Sequence, residues 1–160
     1  MSIKTQSADD CLIGVISDTH GLLRPEVIKI FENTDLIIHA GDIGKHEVLE
    51  TLRAVSPVYA VRGNMDVGGW ARNLPETQVV EIEKFFIYVL HNTDELDIDP
   101  AAAGFNAVIY GHTHLASIER KSNVLFLNPG TAGPFRAPIT VALLHLRGNF
   151  LDAELVELNL

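Results

Sequence analysis

Cys11-Leu12-Ile13-Gly14-Val15-Ile16 runs directly into Ser17-Asp18-Thr19-His20-Gly21, an apolar stretch stopped by small polar residues. So short a run, rich in branched side chains, reads as a strand buried on both faces and not as a helix. Its tip carries chemistry. Asp18 and His20 lie two apart, so an extended backbone turns both side chains the same way, where a carboxylate oxygen and an imidazole nitrogen can hold one cation. Gly21 lets the chain turn away tightly. Asp-x-His also describes an ordinary hydrogen-bonded pair, so the rest of the chain has to decide between the two.

The same device recurs. A helix opens at Arg24-Pro25, with proline in its first turn, and runs through Val27, Ile28 and Phe31 until Asn33. Leu36-Ile37-Ile38-His39 is a second short strand, stopped by Ala40-Gly41-Asp42. A helix over 45–54 carries Val48, Leu49 and Leu52 on one face, and a third strand, Pro57 to Val61, stops at Arg62-Gly63-Asn64. Strands alternating with helices predict a parallel sheet, whose carboxyl ends share one edge. Asp18, His20, Asp42 and Asn64 are therefore expected to converge.

From Leu74 onward strands dominate: 78–82, 85–91, 107–110, 115–120, 124–128, 139–147 and 150–158, the last two joined as a hairpin through Arg147-Gly148-Asn149. One more short helix is expected over Asp97 to Gly104. Two sheets packed face to face with helices outside account for this order. Here too ligands follow apolar runs: Phe85 to Leu90 ends at His91, and Val108-Ile109-Tyr110 ends at Gly111-His112-Thr113-His114. The resulting set has oxygen and nitrogen donors, no sulfur, and more members than one metal needs. His39 and His145 read as structural, and His46 as a solvated or capping residue.

Composition bounds the function. With 160 residues and 47% hydrophobic content, the chain can bury a substantial core without disulfides, and residues 11–160 read as one domain behind a loose tail over 1–10. That tail lacks the basic opening and apolar core of a signal peptide. No apolar run is long enough to span a bilayer. The lone cysteine, Cys11, fits a buried thiol in a reducing, cytoplasmic compartment. A net charge of -9, from 21 acidic and 12 basic residues, provides no footprint for a nucleic-acid polymer or an anionic membrane, yet permits a small phosphate ester at a locally positive site.

Asp18-Thr19-His20, Gly41-Asp42, Gly63-Asn64, His91 and Gly111-His112-Thr113-His114 resemble, in order and over nearly the whole chain, the blocks of the calcineurin-like metallophosphoesterase superfamily. Ser17 to Gly21 and Asn128-Pro129-Gly130-Thr131 are most similar to the compact YfcE-type phosphodiesterases. The resemblance implies an α/β fold, a four-layer α/β/β/α sandwich of two mixed sheets flanked by helices. It implies that Asp18, His20 and His114 hold one metal, that Asn64, His91 and His112 hold another, and that Asp42 bridges them. Asp18, Asp42, Asn64 and His91 are the expected catalytic set, and Thr19, Asn64 and Arg62 the expected substrate contacts, with Asn128 as a further support.

Two divalent ions about 3.5 to 4 Å apart can share a carboxylate, activate a hydroxide and clamp phosphoryl oxygens during in-line displacement. Two dications against the carboxylates of Asp18 and Asp42 leave positive charge at the site in an acidic protein. The donors suit manganese first, with zinc, iron, nickel or magnesium as alternatives, and not an all-oxygen calcium cage. The expected activity is hydrolysis of small phosphate diesters; self-association is left open. The competing reading is a non-catalytic interaction scaffold, because the same compact fold serves as the small scaffold subunit of retromer. Many members carry a histidine after Gly-Asn, assigned as proton donor to the leaving group; this chain has Met65, followed by Asp66. Asn92 stands where a glycine commonly follows the strand-end histidine.

Overall fold

In the computed structural model, which describes residues 10–136 and 138–160, β1 (Cys11–Ile16) is the middle strand of a five-stranded sheet. The elements then follow as α1 (Pro25–Phe31), β2 (Leu36–His39), α2 (His46–Arg53), β3 (Val58–Ala60), β4 (Thr77–Ile82), β5 (Phe85–Leu90), β6 (Ala107–Ile109), β7 (Ser117–Lys121), β8 (Val124–Asn128), β9 (Thr140–Arg147) and β10 (Phe150–Glu157). The first sheet has the order β10-β9-β1-β2-β3 and the second β4-β5-β6-β8-β7. β1, β2 and β3 are mutually parallel, while β9 runs antiparallel to its two neighbours, β1 and β10. β5, β6 and β8 are parallel, with β4 and β7 as antiparallel edges. Of the tail expected over 1–10, all but Asp10 lies outside the described residues.

Both faces of β1 are covered, which is why its sequence is an unbroken apolar run. Cys11, Ile13 and Val15 face the second sheet and share a core with Val80, Ile82, Ile87, Val89, Ile109 and Leu127. Ile16, with Ile37 of β2, faces the helices and packs with Val27 and Phe31 of α1 and with Val48, Leu49 and Leu52 of α2. The predicted helical faces are thus the buried ones. Leu90, Val108 and Val124 form a smaller cluster on the outer face of the second sheet, packed against Tyr88, Leu96, Tyr110 and Phe126.

The layer over that outer face differs from expectation. Residues 97–104 form turns and no helix. Asp99 does begin a helical turn, accepting from the Ala103 N–H at 2.9 Å, and Pro100 follows with a bond from Phe105 at 2.9 Å. Gly104, at φ 87°, then closes the segment before a second turn can repay the cost of nucleation. A single 3-10 turn over Thr93–Glu95 begins from Asn92, whose side chain accepts the Asp94 N–H at 3.0 Å. Asn92 therefore caps a turn directly after His91.

Register places the loops. Ile16 lies beside His39, and His39 beside Ala60, so β1, β2 and β3 end level. Val89, Ile109 and Leu127 are likewise adjacent in the second sheet. The segments after these ends, carrying Asp18, Asp42, Asn64, His91 and His112, meet at one edge of the sandwich.

Candidate metal centre

The loops after β1 and β2 are joined by backbone hydrogen bonds, Asp18 N–H to Gly41 O at 3.0 Å, His20 N–H to Asp42 O at 3.0 Å and Gly21 N–H to Ile43 O at 2.7 Å. The extended dipeptide expected at Asp18-x-His20 is absent. Asp18 (φ 56°) and His20 (φ 46°) are left-handed, as are Asp42 (55°), His112 (73°) and His114 (64°). β1 ends at Ile16, and the side chains reach the centre by way of turns and not by strand alternation. Left-handed backbone costs a residue with a Cβ roughly 1–2 kcal/mol, a strain typical of sites whose surroundings over-determine the conformation.

Asp18 is fully buried. Its Oδ2 accepts the Ser17 hydroxyl at 2.7 Å and the His112 N–H, from the other sheet's loop, at 3.1 Å. Its Oδ1 lies 3.3 Å from His114 Nε2, 3.8 Å from His20 Nε2 and 3.9 Å from His91 Nε2. Asp42 is oriented in the same way: Oδ1 accepts the Met65 N–H at 2.8 Å, and Oδ2 stands 3.3 Å from His91 Nε2 and 3.6 Å from His20 Nε2. Donors on one ion at about 2.0–2.2 Å are themselves roughly 3 to 4 Å apart. The donor atoms of Asp18 with His20 and His114, and of Asp18 with Asp42 and His91, lie within 4.8 Å of one another, near that spacing.

A test of fit comes from satisfaction. Asp18 Oδ1, His20 Nε2 and His91 Nε2 are buried polar atoms without a hydrogen-bond partner, which is costly in a protein interior. Asp18 Oδ1 and His20 Nε2 belong to one candidate ligand group and His91 Nε2, again with Asp18, to the other, so cations held by the two groups would satisfy all three. His91 is prepared for it: Nδ1–H donates to Ala40 O at 2.8 Å, which leaves Nε2 with its lone pair. Burial alone would lower the His91 imidazole, but the Asp42 carboxylate and the Ala40 carbonyl hold it above its ordinary value. Asp42, which burial would raise, is held below its ordinary value by His91 and the Met65 N–H.

Asn64 and His112 lie at the open side, both exposed, with His112 Nδ1 3.2 Å from Asn64 Oδ1. His112 stands edge-on to His91, with ring centroids 5.2 Å apart, and His114 to His20 at 5.7 Å. The imidazoles thus form two couples, one with Asn64 beside it.

Other expected contacts are placed differently. Thr19 is fully buried; its hydroxyl bonds Ile43 O at 2.8 Å and His39 Nε2 at 3.0 Å, so it supports the centre from beneath instead of facing a substrate. His39 is structural: Nδ1 accepts the Gly41 N–H at 3.1 Å, which puts its proton on Nε2 towards Thr19. Burial, reinforced by His91, pushes this imidazole down to about 3. Asn128 donates to Gly111 O at 3.2 Å and Thr113 Oγ1 at 2.9 Å and accepts from Gly130 at 2.9 Å, fixing the His112–His114 loop. Asp66 is buried, with its oxygens accepting from Gly44 at 3.0 Å and Gly63 at 2.8 Å. Both oxygens thus help to hold a turn beside the centre. Arg62 pairs with Glu76 at 2.8 Å in a cleft of about 230 Å³ shared with Asn64, His91, Asn92 and Glu95. A larger cavity, about 660 Å³, is lined by Arg120, His145, Arg147 and Phe150 at the opposite end of β9 and contains none of the expected ligands. Ser17 and Phe135 are the neighbours that pattern reading missed. Ser17 stood inside the opening block, but nothing distinguishes Phe135 in sequence from any other loop aromatic.

The loops that build this centre lie within the region, residues 11–149, that matches the model of the calcineurin-like phosphoesterase superfamily domain. A protein described as a probable metallophosphoesterase from Methanocaldococcus jannaschii is 36% identical over 160 residues, spanning 92% of this chain and 81% of its own. The phosphodiesterase YfcE of Escherichia coli strain K12 is 30% identical over 142 residues, 72% of this chain and 76% of its own. The fold also resembles the structure of vacuolar protein sorting 29 from Cryptosporidium parvum, with a TM-score of 0.77 at 23% identity over 94% of this chain and 98% of that one.

Proposed function

The chain belongs to the calcineurin-like phosphoesterase superfamily, and from that premise we propose that it is a phosphodiesterase of small substrates that works with two divalent ions, manganese first among them. One observation carries the reading: the unpartnered buried atoms Asp18 Oδ1, His20 Nε2 and His91 Nε2 face one space beside Asp42 Oδ2. In this reading Asp18, His20 and His114 hold one ion, His91, His112 and Asn64 hold the other, and Asp42 is common to both. When bound, the ions supply Lewis acidity towards the phosphoryl oxygens and a nucleophile at neutral pH.

The remaining work falls to the chain. Ser17 and the His112 N–H fix one oxygen of Asp18, so that the other is aimed inward. The Met65 N–H does the same for Asp42. Ala40 O fixes the tautomer and ring of His91. Exposed Asn64 sits where an incoming ester arrives, and Arg62 lies beside it in the cleft. Met65 cannot donate a proton, and Asp66 is turned to the backbone N–H groups of Gly44 and Gly63. A leaving group that needs no acid is therefore favoured, which selects activated esters, and a diester brings one negative charge fewer than a monoester dianion. Residues 11–160 act as one domain in this reading, and the single, buried Cys11 fits a reducing cytoplasm.

The experiment is a turnover screen of manganese-loaded protein against aryl and alkyl mono- and diesters. Hydrolysis of an aryl diester, lost in Asn64→Ala and His91→Ala, is expected. Absence of turnover on every ester with any divalent metal would sink the proposal and put the interaction scaffold in its place.

A further inference from the structure

Phe135, in the loop between β8 and β9, stands against the metal centre. Its ring meets His20 edge-on, with centroids 5.2 Å apart, and leans on His114 at 4.5 Å. It nevertheless keeps 37% of its surface exposed. The loop beneath it is anchored: Arg24 Nη2 donates to Gly133 O at 3.0 Å, Gly133 N–H to Thr131 Oγ1 at 3.1 Å, and Thr131 Oγ1 to Asp18 O at 3.0 Å. The ring is thus held on the same backbone that carries Asp18. Leu115, the residue after His114, is 69% exposed. Through Phe135 the His20–His114 side of the centre therefore offers an apolar face. The Asn64–His91 side opens instead on the polar cleft of Arg62, Glu76, Asn92 and Glu95.

An anchored aromatic ring with one edge against imidazoles and the rest open to solvent has unused contact surface at the mouth of a site. We propose that Phe135 is a specificity-determining residue: its open surface receives the organic group of a phosphoester held at the centre, favouring aryl or similarly flat apolar groups over small alkyl ones. This rests on the phosphoesterase reading above. A ring that only shielded His20 and His114 from water would alter metal retention and not discriminate between ligands, so the two roles separate experimentally.

The test is calorimetric titration of the manganese-loaded protein with phenylphosphonate and with methylphosphonate, neither of which is turned over, for wild type, Phe135→Ala and Phe135→Trp, with metal content measured on each. Wild type is expected to bind the phenyl compound about 3- to 10-fold more tightly, the size of an aromatic contact. Phe135→Ala should erase that difference while leaving methylphosphonate affinity and metal content unchanged, and Phe135→Trp should keep it. Equal binding of the two probes in wild type, no binding of either, or a preference that survives Phe135→Ala would overturn the assignment. So would a parallel fall for both probes together with metal loss. A phenyl preference in a protein that hydrolyses no ester would refute the phosphoesterase reading and leave this subsite standing; intact hydrolysis without the preference would refute the subsite alone.

Discussion

His39 ends a strand as His91 does in sequence, yet it lies beneath the centre, bonded to Thr19 and Gly41, and its residual charge chemistry can be read in stability. The folded protein holds it neutral down to about 3, whereas in the unfolded chain it accepts a proton below about 6.5. The stability it contributes is complete above the unfolded value and is lost as pH falls from there towards 3, with a limiting slope of about 1.4 kcal/mol per pH unit. His91 has the opposite sign: its value is raised, so its contribution is present below the unfolded value and lost as pH rises through the folded one. Asp42, held low, loses its contribution only in acid below its ordinary range. Of these three groups, only His39 therefore contributes a slope between roughly pH 4.5 and 6.5. Denaturant unfolding of the metal-free protein should show wild type losing stability across that window and His39→Gln losing far less; parallel profiles would contradict the assignment. Met65 sets a second expectation. Without a positioned acid the rate should fall steeply with leaving-group pKa, and Met65→His should flatten the slope and raise rates on poor leaving groups by about 10- to 100-fold, towards the lower range of general-acid help. A plot of rate against leaving-group pKa checks this, and a flat wild-type plot would reveal a proton donor, with Asp66 the first candidate. The convergence of the candidate ligands was legible because chemically active residues directly followed apolar runs. The functions of Thr19 and Asp66 were not, since only the fold shows which side chains are already bonded.

At the scale of elements, the strands were legible to within a residue or two because β1, β2 and β6 are covered on both faces and read as unbroken apolar runs. Residues 97–104 were not. Asp, Pro and three alanines imitate a helix start, but Gly104 ends the segment after one turn. The route of the ligand loops was also hidden: strand alternation anticipates extended backbone at Asp18-x-His20 and His112-x-His114, where the structure has left-handed residues. Those loops touch at glycines. A Cβ on Gly63 would overlap the backbone nitrogen and Oδ1 of Asp42, and one on Gly111 would overlap Ser17 Oγ and press on Asp18 Oδ2 at 2.7 Å. Since backbone and a fixed carboxylate cannot swing away, Gly63→Ala should displace Asp42. We expect a loss of about 1–3 kcal/mol of stability, in the range of overpacked sites, and a weaker grip on metal by about tenfold or more. Unfolding and metal titrations of the variant would show both; unchanged metal affinity would mean Asp42 is not held as described.

For the whole molecule, the site exists only because two sheets end at the same edge. The first sheet supplies Asp18, His20, Asp42 and Asn64, the second His91, His112 and His114, and the bond from His112 N–H to Asp18 Oδ2 ties the halves together. The sandwich could be foreseen from the change of rhythm at Leu74, from alternating strands and helices to strands alone. The aromatic wall at Phe135 could not, because it depends on a loop path that no periodicity encodes. An acidic chain of net charge -9 can still attract phosphate where two dications outweigh two carboxylates. That two-ion centre is the central claim, and the most direct measurement is aryl-diester turnover followed during stepwise addition of manganese to metal-free protein. The account predicts little rate up to the first equivalent, a rise as the second fills, and none in Asp42→Ala. A rate that saturates at one equivalent, or that survives in Asp42→Ala, would contradict it.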